Sequence, residues 1–164
     1  LISAPMDHLG VNYYTRRVSH DTAIADDERP HPINETNLPR TTMGWEVYSQ
    51  GLTDVLVRFN SEYDLPPTYV AESGVAFVDE VVDGAVPDEH RRQYLEDHFA
   101  AAADAYKAGV PLKGYFVWTL MDNFEWQNGY DQRFGLVRVD YDTQLRRVKD
   151  SGRWFAAVAG GAPN

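Results

Sequence analysis

Three short runs of β-branched and aromatic residues, each ending in polar side chains, alternate with two stretches of helical spacing, and this order narrows the possible folds sharply. The first run is Leu9-Gly10-Val11-Asn12-Tyr13-Tyr14-Thr15. The second is Thr68-Tyr69-Val70-Ala71, followed by Glu72-Ser73-Gly74 where the backbone is expected to turn. The third extends from Leu112 to Leu120 and runs into Asp122-Asn123-Phe124-Glu125-Trp126. Between the first two, Leu52, Val55, Leu56 and Phe59 recur at the spacing of one helical face, and Pro66-Pro67 stops that helix. Between the second and third, Asp88 is a candidate cap for a helix running to about Lys107. There Tyr94, Leu95, His98, Phe99, Ala102 and Tyr106 share a face, and Gly109 marks the end. Strand, helix, strand, helix, strand is the order of a parallel sheet with crossover helices, so the chain reads as α/β with its sheet buried on both faces.

Beyond the third strand, Gly135-Leu136-Val137-Arg138-Val139 and Leu145-Arg146-Arg147-Val148 flank Asp140-Tyr141-Asp142-Thr143, the pattern of a β-hairpin. A last helix is expected over about Asp150 to Val158. Residues 19–42 are polar and broken by Pro30, Pro32 and Pro39, which predicts either a long functional loop or a disordered linker.

Several classes of function are disfavoured. No apolar run approaches the roughly 20 residues of a membrane helix, so no membrane partner is expected. A formal charge of −10 opposes contact with phosphate backbones, so no nucleic-acid partner is expected. The 5 histidines are dispersed without metal-ligand spacing, and His90 and His98 are expected to face solvent or pack. With 0 cysteines, disulfide frameworks, thiolate metal sites and cysteine nucleophiles drop out, and a reducing, cytoplasmic setting fits. Leu1-Ile2-Ser3-Ala4-Pro5 shows neither an initiator Met nor a signal pattern, and the chain is expected to start within a longer protein.

Ligands of parallel α/β sheets bind at the carboxyl ends of the strands. The three strand ends here supply Asn12 and Tyr14, Glu72, and Trp118, Glu125 and Trp126. Carboxylates and amides pair with hydroxyl groups, and indole faces cover the C–H side of a pyranose ring. The set therefore suggests binding or cleavage of carbohydrate.

The same residues carry a resemblance. Leu9-Gly10-Val11-Asn12-Tyr13-Tyr14-Thr15-Arg16, Gly44-Trp45-Glu46-Val47-Tyr48, Glu72-Ser73-Gly74 and the run from Gly114 through Trp118 to Trp126 resemble, in order, the blocks of glycoside hydrolase family 1. Arg133-Phe134-Gly135-Leu136-Val137, Asp140-Tyr141, Lys149-Asp150-Ser151 and Trp154-Phe155 continue the match. The resemblance implies the last three βα units of a (β/α)8 TIM barrel, plus the hairpin and C-terminal helix, in one domain over residues 1–164. Residues 19–42 would then form an active-site loop. It further implies a retaining β-glycosidase, β-glucosidase-like, acting on terminal unphosphorylated β-D-glycosides without a cofactor.

Residue by residue, the resemblance makes Glu72 the nucleophile and Tyr14 its hydrogen-bonding partner, with Asn12 nearby. Glu125 is assigned to the sugar's C4 and C6 hydroxyls, Trp126 to a ring-nitrogen contact, Trp118 to the stacking platform and Phe134 to the pocket lining. Trp45 and Glu46 are read as packing and helix-start residues.

The match also has gaps. The family's acid/base belongs to an Asn-Glu-Pro segment on an earlier strand. Asn34-Glu35 is followed by Thr36 and comes after Tyr14, so it does not fill that role. A full barrel needs about 250 residues, and the implied partner is the N-terminal portion of the same enzyme, alongside a β-glucoside or oligosaccharide substrate. Ala71 and Ser73 stand where the family usually has Thr and Asn. A non-catalytic carbohydrate-binding fragment and a thioglycosidase remain as alternatives.

Overall fold

The structure, a computed structural model, describes residues 4–18, 21, 23–28 and 38–161. Strand β1 (Leu9–Asn12), helix α1 (Gln50–Glu62), strand β2 (Thr68–Ser73), helix α2 (Glu89–Lys107) and strand β3 (Leu112–Val117) follow one another. The three strands form one parallel sheet in the order β1-β2-β3. Strands β4 (Val137–Val139) and β5 (Arg146–Val148) pair as an antiparallel hairpin, and α3 (Asp150–Ala159) ends the described chain. Within residues 19–42 the described parts hold a 3-10 turn at Asp26–Glu28 and a bridge from Arg40 to Glu46. Pro30, Pro32 and Asn34-Glu35 lie outside the described residues.

The helices cover one face of the sheet. Leu52 and Leu56 of α1, Ala101, Ala102 and Ala105 of α2, and Val70 of β2 meet in one core with Tyr13 and Val110. The alanine run on α2 lets the two helices approach closely, and truncating Leu52 or Leu56 to Ala would cost about 2–5 kcal/mol. A second core joins Val75, Tyr94, Leu95 and Leu136, with Phe99, Trp154 and Phe155 packed against it. The opposite face of the sheet is open: a complete parallel sheet is buried on both faces, whereas a portion of a barrel leaves one face exposed. There Phe116 is exposed, and the Tyr69 ring meets those of Phe116 and His8.

Other departures have local causes. The first strand stops at Asn12 because the backbone beyond it turns to bond across to β2: Tyr13 N–H donates to the Glu72 carbonyl at 2.9 Å. Tyr106 shares the helical face of Tyr94 and Phe99 but lies in the last turn of α2, beyond the packed sheet, and is exposed. Asp88 occupies the N-cap position of α2 without capping it. Its carboxylate instead takes the Ser151 N–H at 2.8 Å and the Ser151 hydroxyl at 2.5 Å, so it satisfies the N-terminus of α3.

The feature least visible in the sequence is a buried network of charges. Lys149 is fully buried between Asp79 and Asp122. Arg91, also buried, meets Asp79 at 2.8 Å and Asp88 at 2.5 Å, and Arg133 meets Asp122 at 2.7 Å. Three cations thus face three carboxylates. Burial pushes the Lys149 ammonium below its ordinary range, Arg91 adds to that, and the two carboxylates oppose it. Removing one member of such a set strands its partner without compensation, which typically costs about 3–5 kcal/mol.

Candidate active site

Glu72 lies within β2 rather than in a turn after it, and a bulge decides which way it faces. Val11 pairs with Val70 but Asn12 pairs with Glu72, and on the other side Val70 pairs with Tyr115 while Ser73 pairs with Val117. The extra residue shifts the alternation, so Thr68, Val70 and Ser73 are buried under the helices while Glu72 is partly exposed on the open face. A bulge at a strand end re-aims a side chain in this way. Gly74 is required by a close approach and not by a turn: a Cβ there would lie 1.7 Å from the Trp118 carbonyl oxygen.

A cleft of about 490 Å³ opens over these strand ends. It gathers Tyr14, Glu72, Trp118, Glu125, Trp126 and Phe134, together with Trp45, Asn123 and Phe124. No Lys or Arg lines it among the described residues. The Tyr14 hydroxyl donates to Glu72 Oε2 at 2.7 Å. Burial, the bond to Glu72 and the Glu72 charge push the Tyr14 phenol upward, so it stays a neutral donor at any working pH. Burial also raises the Glu125 carboxyl; a hydrogen bond from the Trp118 side chain opposes this, and the charge of Glu72 reinforces it.

Support comes from beneath. Tyr94, buried on α2, donates from its hydroxyl to the Tyr14 carbonyl at 3.2 Å and lies 3.4 Å from the Ser73 hydroxyl. One phenol therefore ties the chain just after β1 to the end of β2, on either side of the Tyr14–Glu72 pair.

Most residues singled out in the sequence do meet in this cleft. Phe134 is its buried back wall, Trp118 is half-buried, and Trp126 is 78% exposed at its mouth. Asn12 differs: it sits beside Glu72 in strand register, but it is exposed and does not line the cleft. Trp45, read as packing, does line it, with its ring 5.8 Å from Tyr14 and 6.2 Å from Phe134. Its distance along the chain from every other cleft residue hid this, and its place inside a motif block was the available signal. Glu46 pairs with Arg16 at 2.8 Å and with Arg40 at 3.5 Å. Among the described residues, no group of three His, Cys, Asp or Glu is placed to hold a metal ion, and no helix is long and apolar enough to cross a membrane. His98 packs in the core, stacked on Tyr94 at 3.7 Å.

A parallel β/α frame whose strand ends carry a phenol-bonded carboxylate, in a cleft walled by indoles and a second carboxylate with no cation among the described residues, has the features expected of the glycoside hydrolase class. The chain belongs to glycosyl hydrolase family 1, whose family model matches residues 1–162. Beta-glucosidase A of Thermotoga maritima is 46% identical over 160 residues, which is 96% of this chain and 35% of that protein. The beta-glucosidase of an Agrobacterium species is 42% identical, covering 99% of this chain and 36% of its own length. A 6-phospho-beta-galactosidase of Streptococcus equi subsp. zooepidemicus is 36% identical over 93% of this chain. Among solved structures, the family 1 b-glucosidase of Thermotoga maritima superposes with a TM-score of 0.86 at 43% identity, covering 99% of this chain and 37% of that one. The same enzyme in complex with glucoimidazole superposes with a TM-score of 0.83 at 41% identity. The chain spans about a third of the length of the relatives it matches.

Proposed function

We propose that this chain is the nucleophile-bearing portion of a retaining β-glycosidase, β-glucosidase-like, supplying the last three βα units of a (β/α)8 barrel with a hairpin and C-terminal helix. The bond from Tyr14 to Glu72 carries the reading, because it presents one carboxylate oxygen to the cleft while the other is held by a neutral donor. Glu72 attacks the anomeric carbon as the glycosidic C–O bond breaks and the acid/base protonates the departing oxygen, and the resulting glycosyl ester is then cleaved by a water that the same acid/base deprotonates, which frees the sugar and Glu72. The acid/base comes from the N-terminal portion of the barrel, within about 5–5.5 Å of Glu72 as a retaining mechanism requires. Residues 1–164 act as one unit of that barrel.

Trp118 receives the C–H face of the sugar, the Trp126 ring nitrogen donates to a sugar hydroxyl, Glu125 accepts from the outer hydroxyls, Phe134 closes the back of the cleft, and Asn12 reaches the sugar from beside Glu72. The substrate is unphosphorylated. With two carboxylates and no cation among the described lining residues, a phosphate at C6 would be repelled. This sets the chain apart from its 6-phospho-beta-galactosidase relative.

The test is to expose the complete barrel enzyme to a 2-deoxy-2-fluoro-β-glucoside with a good leaving group and to map the adduct. A stable single-sugar adduct on Glu72 is expected. Binding of the sugar with no adduct would leave a non-catalytic carbohydrate-binding role in its place.

A further inference from the structure

The buried carboxylate of Asp122 lies where the segment carrying the sugar contacts begins and where it returns. Its Oδ1 accepts the Gly135 N–H at 2.9 Å and the Lys149 ammonium at 3.0 Å. Its Oδ2 accepts Arg133 Nη1 at 2.7 Å and the Val139 N–H at 3.3 Å. Phe124, Glu125, Trp126 and Phe134 all lie between these two points of the chain. The return is tight: a Cβ at Gly135 would stand 2.2 Å from the Asp122 backbone nitrogen.

Within the segment, the backbone of the tip bonds to itself, and the Trp118 side chain donates to Glu125. Glu125 N–H donates to the Gly129 carbonyl at 2.6 Å and Asn128 N–H to the Glu125 carbonyl at 2.9 Å, around the 3-10 turn Trp126–Asn128. Those bonds shape the turn without tying it to the core. The tie is made at the base, where one carboxylate grips two backbone amides and two cations.

We infer that Asp122 is a positioning residue for sugar recognition: it clasps both ends of the segment that bears Glu125 and Trp126, and Lys149 is the buried counter-charge that holds the clasp shut. The inference rests on the cleft being the glycosidase site proposed above. An acceptor of four donors at one carboxylate has no neutral equivalent, since an amide in its place offers one acceptor atom and points two N–H donors at cations and amides. A binding group displaced by about 1 Å loses much of its contribution, so a loosened clasp acts first on what Glu125 holds.

The experiment uses the complete barrel enzyme with an aryl β-glucoside and its 4-deoxy and 6-deoxy counterparts. The readout is the ratio of kcat/KM for the parent to that for each deoxy sugar, measured well below the melting temperature of each variant. Glu125→Gln should shrink this ratio by about tenfold, the worth of a hydrogen bond to a charged group. Asp122→Asn should shrink the same ratio by a similar factor. Arg133→Gln, which removes one partly exposed grip and leaves Lys149 paired, should shift it in the same direction by less and serves if Asp122→Asn does not fold. A lowered melting temperature with the ratio intact in Asp122→Asn, or in Arg133→Gln where only that variant folds, would mean that the network serves stability alone and would overturn the clasp. If Glu125→Gln leaves the ratio unchanged, the reading of the cleft falls, and the clasp with it.

Discussion

The hydroxyl of Tyr14 donates to Oε2 of Glu72 at 2.7 Å, joining two residues 58 positions apart in the chain. Everything that positions this pair is backbone or buried. The ends of β1 and β2 run in register from Leu9 opposite Thr68, the bulge turns Glu72 out of the core, and Tyr94 grips the chain on both sides. The pair is therefore presented by the fold rather than by a mobile loop.

Replacing Tyr14 with Phe removes a neutral donor from a carboxylate in a partly buried cleft. The ring contacts of Tyr14 with Trp45 and Phe134 are kept, so the cleft wall is expected to stay intact. In the complete enzyme kcat/KM for an aryl β-glucoside should fall by about 10- to 100-fold with little change in melting temperature. Steady-state kinetics beside a thermal scan checks this, and an unchanged rate would remove Tyr14 from the machinery.

Glu125 should show function obtained at some expense of stability. Burial and the nearby Glu72 charge raise its carboxyl despite the Trp118 bond, so the ionised form is disfavoured in the folded state relative to the unfolded one. Such a group weakens the fold above its folded pKa and leaves it unaffected below its unfolded pKa, where both states are protonated. Glu125→Gln should therefore raise the melting temperature at pH 7, with the gain fading as pH falls toward about 4. Activity should drop at the same time. Melting curves for the two proteins that stay parallel from pH 7 to pH 4 would contradict the assignment.

How much of this was legible in the sequence depends on the range over which each signal acts. Helix α2 and the hairpin were visible because periodicity and turn residues are local, and both stand where expected. Glu72 was recognisable by its position at a strand end, but its aim was not, because a bulge is a pairing property of three strands together. The charge network was invisible for the same reason. Lys149 finds Asp79 across 70 positions and Asp122 across 27, and apart from its place in a motif block nothing near Lys149 in the sequence distinguishes it from a solvated lysine. Trp45 likewise became a cleft residue only once the chain had folded back over Phe134.

His98 is predicted to make the protein acid-sensitive from the inside. Its Nδ1–H donates to the Tyr94 carbonyl at 2.8 Å, and its Nε2 is buried with no partner among the described residues. Burial lowers its pKa from 6.5 to about 4, against small opposing contributions from the Tyr94 bond and Asp97. Between those two values the unfolded chain takes up a proton that the folded chain refuses, so stability falls as pH drops from 6.5 to 4 and levels off below. The loss should reach roughly 2 kcal/mol by pH 5. Urea unfolding at pH 7 and pH 5 should show this for the wild type and a flatter response for His98→Gln; equal slopes would place the acid sensitivity elsewhere.

Gly74 offers a sharper test of how the strand ends are packed. Two residues beyond Glu72, its Cα faces the Trp118 backbone so closely that an added methyl would lie 1.7 Å from the carbonyl oxygen and 2.8 Å from the carbonyl carbon. Backbone cannot swing aside as a side chain does, and Trp118 N–H is itself bonded to the Ser73 carbonyl at 2.9 Å. Gly74→Ala must therefore push β2 and the start of the cleft segment apart, at a cost of about 3 kcal/mol or more. Gly114→Ala is the control. There the added Cβ would meet only side-chain carbons, the Tyr69 ring at 3.0 Å and the Phe116 ring at 3.9 Å, which can shift where backbone cannot. Its cost should be about 1 kcal/mol or less. The same displacement that destabilises Gly74→Ala moves Trp118 relative to Glu72, so activity measured well below the melting temperature should fall at least about tenfold in Gly74→Ala and stay within about twofold of wild type in Gly114→Ala. Equal behaviour of the two alanine variants would mean that the contact between the ends of β2 and β3 is looser than the backbone spacing at Gly74 indicates.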